Sequence, residues 1–492
     1  MRLIRQIIWI ATIAVGISAP PQYLYADDAR DTAKTSAKNV LFIVSDDLKA
    51  SVLGCYGDKA CKTPNIDKLA SEGMVFSRAY CQGVLCLPSR RSFMFSRYLD
   101  EEGITLGEHF KNNDFYTARV GKIFHMDVPD DIIKGTDGKD VASSWTERFN
   151  SKGQEAHTPG NYACLNQNIF TDKLEGRESC RMPNRMFVSV SYKGDGSDQP
   201  DYKTATKTVE LLRKHKDKPF FIAAGLVRPH YPNVAPEQYF ELYPWQKIEK
   251  PEIVENDIDD IPKLGLAKTR NSNNPIGKYP DNQKRMWSAY YATVTFMDEQ
   301  VGRIIDELEK LGLRQSTVIV LLSDHGYHLG EHTFWEKNNL HEEVSRVPLI
   351  VSVPGMKPGT ADTVVELIDL YPTLAELVGL PIPDEVQGKS FVPVLQDSSH
   401  VLKKGALSLI PNRGVALRTK DYAYMRYRDG TEELYDMVRD PEQFSNQVAN
   451  PEYSATLRQF RNRLDSRLKE EGVIFDKKSR KYKQKKYETQ SF

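Results

Sequence analysis

The chain has 492 residues and a mass of 56.1 kDa, with 67 basic against 67 acidic side chains, 40% apolar residues and 27% charged ones. Balanced charge excludes a nucleic-acid binder that relies on a basic excess, and six cysteines in this length exclude a disulfide scaffold. A mean hydropathy of −0.52 fits a soluble chain able to bury a sizeable core, in one large α/β domain and a smaller one.

Residues 1–26 read as a secretory signal peptide. Arg2 and Arg5 precede the apolar run Ile7–Ile17, and Leu24-Tyr25-Ala26 supplies a small-residue exit. The run falls well short of the ~20 residues a spanning helix needs. The expectation is an exported chain, periplasmic or secreted, with no membrane span after cleavage. Losing two arginines and no acids leaves the remainder slightly acidic. No Asn-x-Ser/Thr sequon occurs, which favours a bacterial periplasm.

Four short apolar runs follow, each ending in polar residues of catalytic type. Val40–Val44 leads into Ser45-Asp46-Asp47, and Phe115–Val120 into Gly121, Lys122 and His125. Phe220–Ala224 leads to Arg228-Pro229-His230, and Thr317–Leu322 to Ser323-Asp324-His325. Runs without alternation predict strands buried on both faces. Helical patterns at Thr204–Lys214 and Lys284–Leu311 lie between them, and Val364–Leu380 reads as another. Strands alternating with helices predict a large, mostly parallel sheet flanked by helices. Ligands of such sheets sit outside the carboxyl ends of the strands. From about Ala406 the pattern alternates with period two, and Tyr453–Lys469 reads as a closing helix. The predicted units are therefore a catalytic domain over 38–400, an antiparallel sheet plus helix over 404–475, and a basic tail over 476–492. The tail has seven basic residues between Lys477 and Lys486, a pattern usually found in solvated ends.

Pro88 and the helix-compatible stretch Ser89–Arg97 place Cys86 at the mouth of a helix, where unpaired N–H groups favour negative charge. Composition alone allows a structural thiol there, or half of a bridge with Cys81. Asp46, Asp47 and Asp324, however, are hard oxygen ligands suited to Ca²⁺ or Mg²⁺, and a soft thiolate is a poor companion for such a cation. The mismatch disappears once the cysteine carries an oxygen species.

Cys86-x-Pro88-Ser89-Arg90 resembles the sulfatase signature, whose cysteine is oxidised to Cα-formylglycine by a formylglycine-generating enzyme. Gly54–Asp58, Thr63–Asp67, Gly121–His125, Arg228–His230, Ser323–Gly326 and Leu329–His332 extend the likeness, which is greatest to the iduronate-2-sulfatase branch of this alkaline phosphatase-like superfamily. The resemblance implies one divalent cation, usually calcium, held by Asp46, Asp47, modified Cys86, Asp324 and His325. It implies that a hydroxyl of the hydrated aldehyde attacks sulfur, with Arg90 holding the hydrate and Lys122 and Lys337 neutralising sulfate oxygens. His230 would be the acid for the departing sugar oxygen and His125 the base that regenerates the aldehyde. The implied substrate is a sulfated sugar, such as a uronate 2-O-sulfate within a polysaccharide. The same constellation suits a phosphodiesterase or phosphonate hydrolase, and an unmodified chain would be a glycan-binding relative.

His328 and His332 have i,i+4 spacing but lack the Glu of a His-Glu-x-x-His motif, so they are expected to be structural or site-lining. The branch implies a Cys164–Cys180 bridge and leaves Cys55, Cys61 and Cys81 unassigned. Two departures stand out. Met94-Phe95-Ser96-Arg97 replaces the family's Leu-Thr-Gly-Arg, which assists the modifying enzyme. Arg228 replaces a frequent Lys at a position expected to face substrate, while 126–200 and 231–285 read as loop-rich pocket walls.

Overall fold

The structure is a computed structural model and describes residues 37–98, 103–177 and 182–473. The segment read from sequence as a signal peptide, the basic tail and Cys180 lie outside the described residues. Among those described, nine strands form the principal sheet. Five run parallel, in the order Glu147–Phe149, Tyr116–Gly121, Phe220–Pro229, Asn39–Asp46, Thr317–Ser323. Leu349–Ser352 then pairs antiparallel with Thr317–Ser323 and with Met74–Tyr80. Met74–Tyr80 also takes Gly359–Glu366 in parallel and Arg346–Val347 antiparallel.

The parallel centre follows from burial on both faces. Leu41 and Ile43 pack into one core layer and Val40, Phe42 and Val44 into the other, as the two-residue period of a strand requires. The long helix Pro280–Lys310 covers the first face with Tyr290, Val294, Met297, Val301, Ile304 and Leu308. The helix Cys86–Phe95 covers the second with Phe93, Met94 and Phe95. Parallel register brings the carboxyl ends together, with Ser45 opposite Ser323 and Asp46 opposite Pro229.

Two readings from sequence need correction. Val364 lies in a strand, Gly359–Glu366, and the helix starts only at Leu370. The β-branched Thr360, Thr363, Val364 and Val365 favour extended backbone, and pairing with Met74–Tyr80 decides the outcome. The stretch read as loop-rich also contains a second sheet, in which Ile169–Thr171, Asn161–Cys164, Val188–Tyr192 and Asn233–Pro236 are neighbours.

The C-terminal strands Ala406–Ile410, Gly414–Arg418, Tyr422–Tyr427 and Glu432–Asp436 form an antiparallel sheet. Leu457, Phe460, Leu464 and Leu468 of the helix Ser454–Glu470 cover it at helical spacing. Its first strand grips the loop ahead of Cys86, since Leu409 N–H donates to the Gln82 carbonyl (3.0 Å) and Ser408 Oγ to the Cys81 carbonyl (2.6 Å).

Candidate active site

Cys86 is the first residue of its helix, two positions ahead of the Pro88 start that the sequence pattern suggested. Leu85 is extended (φ −145°), and Gly83 passes so close to the first turn that a Cβ there would meet Ser89 N at 2.7 Å. Pro88 sits where a helix has no use for its N–H, and Ser89 Oγ donates to the Asp324 carbonyl at 2.5 Å. The helix ends at Ser96 in left-handed conformation (φ 54°), the position at which the signature resemblance leads one to expect glycine.

The strand ends converge on the cysteine. Its Sγ lies 3.3 Å from His325 Nε2 and 3.3 Å from Lys337 Nζ. Lys337 Nζ also contacts Asp47 Oδ1 at 2.5 Å, and Lys122 Nζ is paired with Asp46 Oδ2. Arg90 donates from Nε to Asp324 Oδ2 (2.8 Å) and from Nη1 to the Ile123 carbonyl (2.9 Å), with Nη2 3.2 Å from Asp46 Oδ1. His230 Nε2 stands 3.8 Å from Asp47 Oδ2, and its Nδ1 lies 2.6 Å from the Tyr231 carbonyl. His125 Nε2 lies 3.0 Å from Asp127 Oδ1. All ten residues expected at the site are thus brought to one place. Apart from His125 they are buried.

Asp46, Asp47, Cys86 and His325 each offer a ligand atom, all within 4.8 Å of one another. Both Asp46 oxygens and Asp47 Oδ2 are buried without a formal hydrogen bond, and of the described residues only the cationic side chains Lys122 and Arg90 and the His230 ring stand against them. Buried carboxylate oxygens faced by positive groups in this way fit a hard cation. Asp324 borders the group, accepting from the Asp47 N–H (3.2 Å) and the His325 N–H (3.0 Å), with Oδ2 3.6 Å from His325 Nε2.

Electrostatics divides the acids. Burial and the Cys86 thiolate oppose ionisation of Asp46, yet Lys122, His230 and Arg90 hold its carboxyl well below the ordinary range. Burial outweighs Lys337 and His325 at Asp47, pushing it up to about 8, and outweighs Arg90 at Asp324, pushing it up to about 6. Burial would raise the Cys86 thiol, but Lys337, Lys122 and His325 hold it well below its usual value. At His325, burial is overcome by Asp324 and Cys86, giving about 9. Burial and Lys337 push His230 down to about 3, and the bond to Asp127 raises His125 against burial.

Comparison with known proteins adds the family. Residues 38–380 match the family model described as Sulfatase, and residues 330–470 one described as N-sulphoglucosamine sulphohydrolase, C-terminal. The chain belongs to the sulfatase family. It is 31% identical over 461 residues to a sulfatase of Formosa agariphila, covering 88% of this chain and 87% of that one. It is 30% identical over 460 residues to iduronate 2-sulfatase of Homo sapiens, covering 81% and 79%. The phosphonate monoester hydrolase of Agrobacterium radiobacter shares the fold, with a TM-score of 0.71 at 20% identity over 88% of this chain and 96% of that one.

This sulfatase is therefore a sulfuric ester hydrolase, and its structure revises one residue. Arg228 does not face substrate. It is buried, with Nη2 3.1 Å from both oxygens of the buried Glu155, while Nη1 donates to the His230 carbonyl at 3.3 Å. Cys81 and Cys86 are separate thiols, so the bridge that composition allowed is not formed. Cys164 is buried in the second sheet. His328 Nε2 lies 2.8 Å from Asn339 Nδ2 and His332 Nδ1 2.9 Å from Asp257 Oδ2, so both are structural and outside the cluster.

Three supporting residues were given no role in the site from sequence. Tyr290 OH donates to the Asp47 carbonyl (2.6 Å) and accepts from the Lys49 N–H (2.9 Å). Ser323 Oγ accepts from the Leu48 N–H (2.9 Å) and donates to the His325 carbonyl (2.8 Å). Together they hold Asp47 in its left-handed turn (φ 63°). Ser45 Oγ donates to the Arg228 carbonyl at 2.8 Å. Polar residues directly at strand ends were the available signal.

Proposed function

We propose that this sulfatase is exported and removes a sulfate ester from a sulfated sugar, a uronate 2-O-sulfate or a related polysaccharide unit, after Cys86 has been converted to formylglycine by its generating enzyme. The observation that carries the proposal is the Cys86 side chain lying within 4.8 Å of the ligand atoms of Asp46, Asp47 and His325. In the encoded chain Sγ stands in for an oxygen of the modified residue. Asp46, Asp47, Asp324, His325 and modified Cys86 would hold one calcium ion. Bound there, the ion and the modified residue supply Lewis-acid polarisation and an oxygen nucleophile.

The remaining chemistry belongs to the side chains around them. Arg90, fixed by Asp324 and the Ile123 carbonyl, is rigid enough to orient the modified residue without moving. Lys122 and Lys337, now against Asp46 and Asp47, are placed to take up the negative charge that grows on sulfate oxygens. His230 donates from Nδ1 to the Tyr231 carbonyl, so Nε2 is the nitrogen that would take up a proton and pass it to the departing sugar oxygen. The ring is neutral at rest, and a bound sulfate beside it raises its proton affinity. His125, oriented by Asp127, would accept the proton that restores the resting site.

Replacement of Cys86 by Ala tests this reading, together with the mass of the peptide that contains residue 86. Loss of sulfate-ester hydrolysis with the fold intact supports it, and persisting turnover overturns it. Paired assays of aryl sulfate and aryl phosphodiester separate it from a phosphonate-hydrolase activity on the same fold, for which the second ester would be the better substrate.

A further inference from the structure

We propose that Arg185 binds a second anionic group of the sulfated sugar, a uronate carboxylate or another sulfate, and so selects substrates that carry two negative groups. This rests on the reading of the site given above. Arg185 lies in the short turn Asn184–Phe187, immediately before the strand Val188–Tyr192. That strand runs parallel to Asn233–Pro236, which directly follows His230 and Tyr231. The pairing carries Arg185 to the rim of the active site, although it lies well apart from every signature motif in the sequence.

The ring of Tyr231 connects the two. Its centroid is 4.1 Å from the His230 ring, 5.5 Å from Lys337 Nζ and 5.9 Å from Arg185 Cζ. Arg185 is therefore one aromatic ring away from two side chains that reach Cys86 or Asp47, a separation comparable with the width of a monosaccharide. Its guanidinium forms no ion pair among the described residues, and the acid that feels its charge, Glu336, does so beyond salt-bridge distance. Arg185 is half-buried, Nε is buried with no hydrogen-bond partner, and no carboxylate among the described residues lies within ion-pair distance of it. The buried Arg90, Arg119 and Arg228 each have such a partner. Withdrawing a guanidinium from water without an acceptor is costly, and the planar fork matches a carboxylate or sulfate through two parallel hydrogen bonds. Tyr231 holds that fork by its flat face, so the donor edge stays available.

The test compares wild type, Arg185→Gln and Arg185→Lys on four substrates. These are a 2-O-sulfated uronate disaccharide, its carboxyl-reduced counterpart, a neutral-sugar disulfate and 4-nitrophenyl sulfate. Arg185→Gln should lower kcat/KM about tenfold or more on one or both two-anion substrates, while the two single-anion esters stay within about twofold of wild type. Whichever two-anion substrate suffers identifies the group that Arg185 binds, and Arg185→Lys should recover part of the loss. An equal loss on all four substrates would make Arg185 a structural support for Tyr231, and no loss on either two-anion substrate would remove it from recognition. Both results overturn the proposal while leaving the site reading intact. A mature wild-type protein that hydrolyses no sulfate ester overturns the site reading and this proposal together.

Discussion

The hydroxyl of Tyr290 donates to the carbonyl oxygen of Asp47 at 2.6 Å, which ties the long helix on one face of the sheet to the carboxylate turn at its edge. The phenol oxygen in turn accepts the Lys49 N–H, so a single side chain satisfies two buried backbone groups on either side of Leu48. Tyr290→Phe leaves both without partners, a loss of about 1–3 kcal/mol. The turn it loosens presents a ligand atom, and removing such supporting bonds commonly costs about 10–100-fold in metal affinity or activity. The expected outcome is a folded protein with weaker calcium binding by calorimetry and lower kcat/KM on a sulfate ester. Wild-type values in both would show that the helix does not position Asp47.

Arg228 and Glu155 form a buried pair, and the arginine also donates to the carbonyl of His230. Glu155→Ala strands a buried guanidinium, which costs about 3–5 kcal/mol. The double variant Glu155→Met, Arg228→Met should regain most of that, because neither charge is then left unpaired. Urea denaturation of the two variants measures both effects. A double variant as unstable as the single one would mean that the arginine's contacts to backbone carbonyls, and not its charge pairing, hold this corner.

The convergence of Asp46, Lys122, His230 and Asp324 was legible because each follows an apolar run too uniform for a half-exposed strand, and parallel strands share their carboxyl ends. The direction of Arg228 was not legible. Its partner Glu155 is 73 positions away in the chain, on a segment with no periodicity of its own. Helical spacing placed Tyr290 on a buried face, but spacing says nothing about what a phenol oxygen meets. The second sheet escaped notice because its strands have three to five residues, too few to establish a period of two.

Ser96 occupies the left-handed cap that ends the Cys86 helix, and its hydroxyl explains how it can replace glycine. Oγ donates to the Ile368 carbonyl (2.7 Å) and accepts the Gly388 N–H (3.1 Å). Left-handed backbone costs a non-glycine residue roughly 1–2 kcal/mol, and two buried hydrogen bonds return about the same. Ser96→Gly should therefore be nearly neutral, whereas Ser96→Ala keeps the strain, loses both bonds and should destabilise by about 2 kcal/mol. Thermal melts of the two variants check the order. Equal melting temperatures would mean that the hydroxyl contributes nothing to the cap.

His332 gives the fold a pH-dependent contribution away from the cation site. Its ring faces Asp257 at 2.9 Å, with Glu343, Glu331 and Glu442 also near and His328 and His341 as neighbouring rings. Burial disfavours the imidazolium, but the bond to Asp257 and the surrounding glutamates lift it from 6.5 to about 9. A raised folded-state value means that the stabilisation is complete below pH 6.5 and disappears as pH rises through 9. The shift corresponds to about 3 kcal/mol. His328 is shifted the opposite way, so its effect lies at and below the ordinary histidine range and leaves the alkaline window clear. Asp257→Asn removes the main partner. The stability gap between wild type and this variant, measured by urea denaturation, should be wide near pH 6.5 and nearly closed at pH 9.5. A gap that does not change with pH would show that His332 is neutral in the folded protein and that Asp257 acts only through hydrogen bonding.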